Sequence, residues 1–134
     1  MIVVDTNVIH YCWVRGQRTK VAQAVRWRDP DWHAPILWHS ELRNVLTAYL
    51  RRESMSREQI VEILDATDQA LAGSEHIIAD QLVLDVVEAS TLTAYGAEFV
   101  ALASALSVPW VTADKAVLKA FPDRAMTMEA FVSR

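Results

Sequence analysis

Two short apolar runs, each ended by a carboxylate, constrain this chain most. The first is Ile2-Val3-Val4-Asp5-Thr6-Asn7 and the second is Pro109-Trp110-Val111-Thr112-Ala113-Asp114. Runs this short, rich in β-branched residues and stopped by small polar ones, read as buried strands. Between and after them lie stretches with helical spacing. Strands alternating with helices predict an α/β fold, a three-layer α/β/α arrangement around a parallel central sheet. In such sheets ligands bind at the carboxyl edge of the strands, so two strands that both end in an acid predict a shared acidic cleft.

The course of the chain supports this. Residues 2–5 read as a strand and 17–28 as a helix. Residues 33–36 read as a short extended segment. In 38–52, Trp38, Leu42, Val45, Leu46, Tyr49 and Leu50 recur at helical spacing. Ser54 or Ser56 is placed to cap a helix running to Leu71, with Gly73 as its stop. Residues 75–78 read as a strand, and Asp80 as the cap of a helix over 81–90. The stretch 95–106 is apolar almost all round, which predicts a buried helix. Residues 109–112 form a strand, Asp114 caps a helix to Phe121, and Pro122 ends it. A strand over 125–127 and a terminal helix close the chain. With 134 residues, scarce Gly and Pro and no linker or repeat, a single domain over residues 1–134 is expected.

Composition narrows the function. No apolar run is long enough to span a membrane, and no basic, then apolar leader opens the chain. Cys12 is the single cysteine, which fits a reducing, cytoplasmic setting. A net charge of −4 argues against a general polyanion binder. The charge is uneven: residues 1–60 carry nine Lys and Arg against six acids, and the rest four against eleven. A basic N-terminal half can meet phosphates, or simply face water.

Asp5 and Asp114 each have an ordinary reading as helix N-caps. Together, both following apolar strands, they also point to one crevice. Glu41 adds a third acid. It lies at the edge of the apolar stripe centred on Leu42, Val45 and Tyr49, roughly 40° from Val45 at about 100° per residue. Its ordinary reading is a first-turn acid favoured by the helix dipole. Clustered carboxylates repel unless a cation sits among them, and oxygen ligands suit Mg²⁺ or Mn²⁺. Such ions activate water and stabilise charge on phosphorus, so metal-assisted phosphodiester hydrolysis is the expected chemistry.

Other signals are weaker. His10, His33, His39 and His76 have no metal-ligand spacing, although His39 lies two residues from Glu41. Asp5-Thr6-Asn7 lacks the second Asp of the haloacid-dehalogenase motif. Neither a Gly-rich phosphate loop nor a Gly-x-Ser-x-Gly turn is present. Of the five tryptophans, most are expected in the core, with one or two on early helices free to anchor a partner.

Four segments in order then carry a resemblance: the opening Val-Val-Asp-Thr-Asn; His39-Ser40-Glu41-Leu42-Arg43-Asn44-Val45-Leu46; the run from Thr93 to Ala103; and Val111-Thr112-Ala113-Asp114-Lys115. Together they resemble a PIN domain, and within that family the VapC toxins of bacterial type II toxin–antitoxin systems, over essentially the whole chain. The resemblance implies a parallel sheet flanked by helices. It also implies a Mg²⁺- or Mn²⁺-dependent endoribonuclease, a homodimer, and inhibition by a small VapB-type antitoxin. By position, Asp5, Glu41 and Asp114 match the family's metal-site acids, and Thr6 or Asn7 and Thr112 match its supporting polar residues. One position departs: Gly96 stands where the family has an acid. Glu98 is about 200° round the helix from position 96 and is expected to point away from it.

Three functions remain in view at this level. One is an RNA-cleaving toxin whose N-terminal arginines hold the backbone. Another is a catalytically silent protein of the same fold that binds antitoxin or RNA. The third is a DNA-directed nuclease.

Overall fold

The computed structural model describes all 134 residues, Met1–Arg134. Thirteen elements follow in order: β1 (Ile2–Val4), α1 (Thr6–Trp13), α2 (Thr19–Arg28), β2 (Trp32–Pro35), α3 (Leu37–Arg51), α4 (Arg57–Leu71), β3 (Glu75–His76), α5 (Asp80–Glu88), α6 (Ala94–Leu106), β4 (Trp110–Val111), α7 (Lys115–Ala120), β5 (Ala125–Met126) and α8 (Met128–Val132). The expected α/β class is what forms: one five-stranded sheet in the order β3-β2-β1-β4-β5, parallel at every pairing.

This order has a functional consequence. From β1 the chain moves outward to β2 and β3, then crosses back to β4 on the other side of β1 and moves outward again to β5. The loops leaving β1 and β4 therefore diverge, and a crevice opens between their carboxyl ends. The register Val3↔Trp110 and Val4↔Val111 puts Asp5 beside Thr112 one step further on.

The layers are built by amphipathic packing. Helix α6 lies against β1, β2 and β4, while α3 and α4 lie against β2. Ile2, Val3, Val4, Trp32, Trp38, Leu42 and Leu46 are fully buried. Trp38 still satisfies its indole N–H, which donates to Glu75 Oε1 at 2.8 Å. As expected from the all-round apolar stretch, α6 buries Ala97 and Phe99 through Ala103. No helix is long and apolar enough to cross a membrane.

Several boundaries differ from the sequence reading, for local reasons. The first strand ends at Val4 because Asp5 already has the extended conformation of a helix cap. The third is two residues long because its partner β2 ends at Pro35, and Ile77 beyond it is 83% exposed. Helix α2 starts at Thr19, after a turn at Gly16 in which the Thr19 hydroxyl accepts the Gly16 N–H. Asp80 is not a cap: it is the first residue of α5, and the cap position is Ala79. Ser56, rather than Ser54, caps α4 through a reciprocal pair of bonds with Gln59. Gly73, at φ +78, supplies the left-handed residue that reverses the chain after α4.

Candidate active site

A cleft of about 730 Å³ opens at the carboxyl edge between β1 and β4. Asp5, Glu41 and Asp114 all line it, and so do Asn7, Thr6 and Gly96. Thr112 is fully buried just behind. The sheet thus brings together every residue singled out from the sequence.

Asp5 is held most firmly. Its Oδ1 accepts the Val8 N–H at 3.0 Å, so it caps α1. Its Oδ2 accepts the Thr112 hydroxyl and the Ala113 N–H. The same Thr112 oxygen accepts the Asp114 N–H at 3.0 Å, so one threonine links the two acids. Asp114 Oδ1 in turn caps α7 by accepting the N–H groups of Ala116 and Val117, at 2.9 and 3.4 Å. The cap reading and the cleft reading are therefore both satisfied: capping is what aims these carboxylates. Glu41 reaches the cleft from α3, and its Oε1 accepts the Thr6 hydroxyl at 2.7 Å. It is not a first-turn acid, since α3 begins at Leu37 and its first turn carries none.

Burial pushes the Asp5 carboxyl above the usual carboxylate range. The hydrogen bonds from Thr112, Val8 and Ala113 pull it back, and the nearby Asp114 adds a smaller upward push. Glu98 is likewise raised, first by burial and then by the charge of Glu41. Glu98 is half-buried and is not among the residues lining the cleft. Its charge nonetheless senses Glu41, a coupling that wheel geometry on α6 alone does not reveal.

No Lys, Arg or His lines the cleft, and none pairs with Asp5, Glu41 or Asp114. The expected arginine hold on a phosphate backbone is therefore absent from the cleft wall. Arg43 on α3 donates from Nη2 to the hydroxyl of Ser40, a lining residue, at 3.4 Å. Acidic oxygens without a protein counter-charge fit a hard cation. Still, no three His, Cys, Asp or Glu side chains stand close enough to share one directly. The set therefore fits an ion held by one or two carboxylates and completed by water, the usual manner of Mg²⁺.

Gly96 sits on the cleft wall in the first turn of α6, where its N–H donates to Thr93 Oγ1. A Cβ there would find its nearest atoms on Leu92 and Thr93, at 3.8 Å or more, an ordinary van der Waals distance.

Two features lie outside the cleft; the first was not legible in the spacing, while the second is the exposed tryptophan expected on an early helix. His33 Nδ1 and His76 Nε2 are 2.8 Å apart, and His33 Nε2 is 2.9 Å from Asp31 Oδ1. Strand pairing, not sequence distance, creates this chain. Trp27 on α2 is 91% exposed, while Trp32, Trp38 and Trp110 are buried.

No protein-family model matches the chain, and no curated protein matches it. Among solved structures it is similar to PAE2754 from Pyrobaculum aerophilum, seen in a crystal structure. The two are 21% identical, with a TM-score of 0.72 over 99% of this chain and 94% of that one. At this identity the likeness is one of fold: the same α/β architecture, at nearly full length in both proteins.

Proposed function

We propose that this protein is a Mg²⁺- or Mn²⁺-dependent endoribonuclease, the toxin of a toxin–antitoxin pair. The observation that carries the nuclease reading is the cleft itself: three carboxylates from three separate elements, with no basic residue to balance them. Homodimer formation, a small VapB-type antitoxin and a cytoplasmic setting are carried over from the PIN and VapC resemblance and belong to the proposal.

In this reading Asp5 and Asp114 would hold the ion, with water completing its shell and Glu41 facing that water from α3. When bound, the ion supplies Lewis acidity at the phosphoryl group and lowers the pKa of water. Thr112 fixes the rotamer of Asp5 and the backbone of Asp114 together. Thr6 holds one oxygen of Glu41, which leaves the other to take a proton from the attacking water. Asn7, exposed at the mouth, is free to donate to the substrate.

The second reading, a catalytically silent binding protein, is favoured by one observation: Gly96 lines the cleft where an acid is expected. Mn²⁺ titration calorimetry and RNA cleavage on the wild type, Asp5→Asn and Gly96→Asp separate the two. The nuclease reading expects Mn²⁺ binding that Asp5→Asn abolishes and Gly96→Asp tightens, with cleavage following the same order. No Mn²⁺ binding in any of the three, and no cleavage, would falsify it and leave the binding role. Matched RNA and DNA strands at one salt concentration decide the substrate.

A further inference from the structure

The mouth of the cleft has a character of its own. Tyr95, in the first turn of α6, lines it and is 66% exposed. The inner wall is the stacked pair Phe99 and Trp110, with centroids 5.7 Å apart and planes 11° from parallel. Both rings are buried, and the Trp110 indole N–H has no hydrogen-bond partner in the protein. Apart from the three carboxylates, the polar groups lining the cleft are neutral: the amides of Asn7 and Asn44 and the hydroxyls of Thr6, Ser40, Thr91 and Thr93.

Aromatic faces stack on bases, and amides and hydroxyls read base edges and the 2′-hydroxyl. A binding site built on phosphate contacts carries Lys and Arg instead, and this wall has none. We propose that Tyr95 is a stacking platform for one unpaired nucleobase of a single-stranded RNA, held at the mouth of the cleft by largely uncharged contacts. This rests on the nuclease reading and adds to it a residue that holds a base. A duplex keeps its bases stacked on one another and offers no face to Tyr95.

The test is fluorescence anisotropy with a short, labelled, single-stranded oligoribonucleotide of mixed sequence. The same strand annealed to its complement serves as the comparison, with Ca²⁺ replacing Mg²⁺ to spare the strand. Wild type, Tyr95→Ala and Tyr95→Phe are compared over a salt series, and sedimentation is run on each. The expected result is tighter binding of the single strand than of the duplex, with a shallow salt dependence. Tyr95→Ala should weaken single-strand binding by about tenfold, the size of one base–aromatic stack, and Tyr95→Phe should retain it. Tyr95 is exposed, so melting temperatures should not change.

Equal affinity in wild type and Tyr95→Ala overturns this inference and leaves the nuclease reading standing. A loss in Tyr95→Phe as large as in Tyr95→Ala also overturns it, because the hydroxyl and not the ring would then be responsible. Unchanged RNA affinity with a dimer that dissociates in Tyr95→Ala overturns it in favour of a protein contact. No RNA binding by the wild type overturns both readings.

Discussion

The loops after β1 and β4 look alike in sequence, each a strand, an acid and a helix, yet they differ in what they ask of the rest of the molecule. Asp5 is buried and draws its donors from two places: Val8 of its own helix, and Thr112 with Ala113 more than a hundred residues away. Asp114 is exposed and its carboxylate takes only the first N–H groups of its own helix. The difference follows from how far each acid lies past its strand. Both strands have a neighbour on each side, but Asp5 directly follows Val4, whereas Asp114 lies three residues beyond Val111. One acid is therefore a tertiary feature and the other a local one, and the Thr112 hydroxyl is bonded to both, to the Asp5 carboxylate and to the Asp114 N–H.

The sharpest way to break this comparison is to remove Thr112's hydroxyl. Thr112→Val leaves the Asp5 carboxylate and the Asp114 N–H each short of a buried partner. We expect a loss of about 1–3 kcal/mol in urea unfolding, with Thr112→Ser close to wild type. A loss no greater than that of a surface substitution would mean that the two acids are not coupled.

A smaller effect is expected at Asp114. Asp114→Ala removes a cap and should cost about 1 kcal/mol, whereas Asp114→Asn, which caps nearly as well, should be close to neutral. If Asp114→Asn destabilises as much as Asp114→Ala, the carboxylate has a structural partner beyond its helix.

The smallest effects are in pH dependence, where two regions act with opposite sign. Asp5's carboxyl is raised by burial, so its contribution is full below the unfolded value of 3.8 and is lost as pH rises through its folded value. His76 is lowered by burial and by His33. Above 6.5 both folded and unfolded forms are neutral, and stability falls as pH drops below 6.5 towards the folded value. Melting curves at several pH values should show Asp5→Asn flattening the first slope and His76→Gln the second. Unchanged profiles in both variants would separate these groups from stability.

Much of the fold was legible. Helical spacing in 38–52 located α3, Ser54 or Ser56 marked the start of α4, and the apolar run in 95–106 foretold the buried α6. The short strands were placed to within a residue or two. Their exact ends were not readable, because pairing stops where the neighbour stops. At the site, the three acids could be singled out, and their ordinary reading as caps turned out to be compatible with the cleft for Asp5 and Asp114. Three things needed the folded chain: the sensing of Glu41 by Glu98, the His33–His76 contact and the free indole N–H of Trp110. Each depends on side chains from different elements whose separation in sequence carries no signal.

By itself the sequence determined the α/β class and the acids that cap α1 and α7, because periodicity and capping are local properties. Only the tertiary structure decided that the acids share one cleft, that no arginine enters it and that Tyr95 stands exposed at its mouth. The physical reason is strand order: a parallel sheet that reverses direction between β1 and β4 brings together loops that the chain itself keeps far apart.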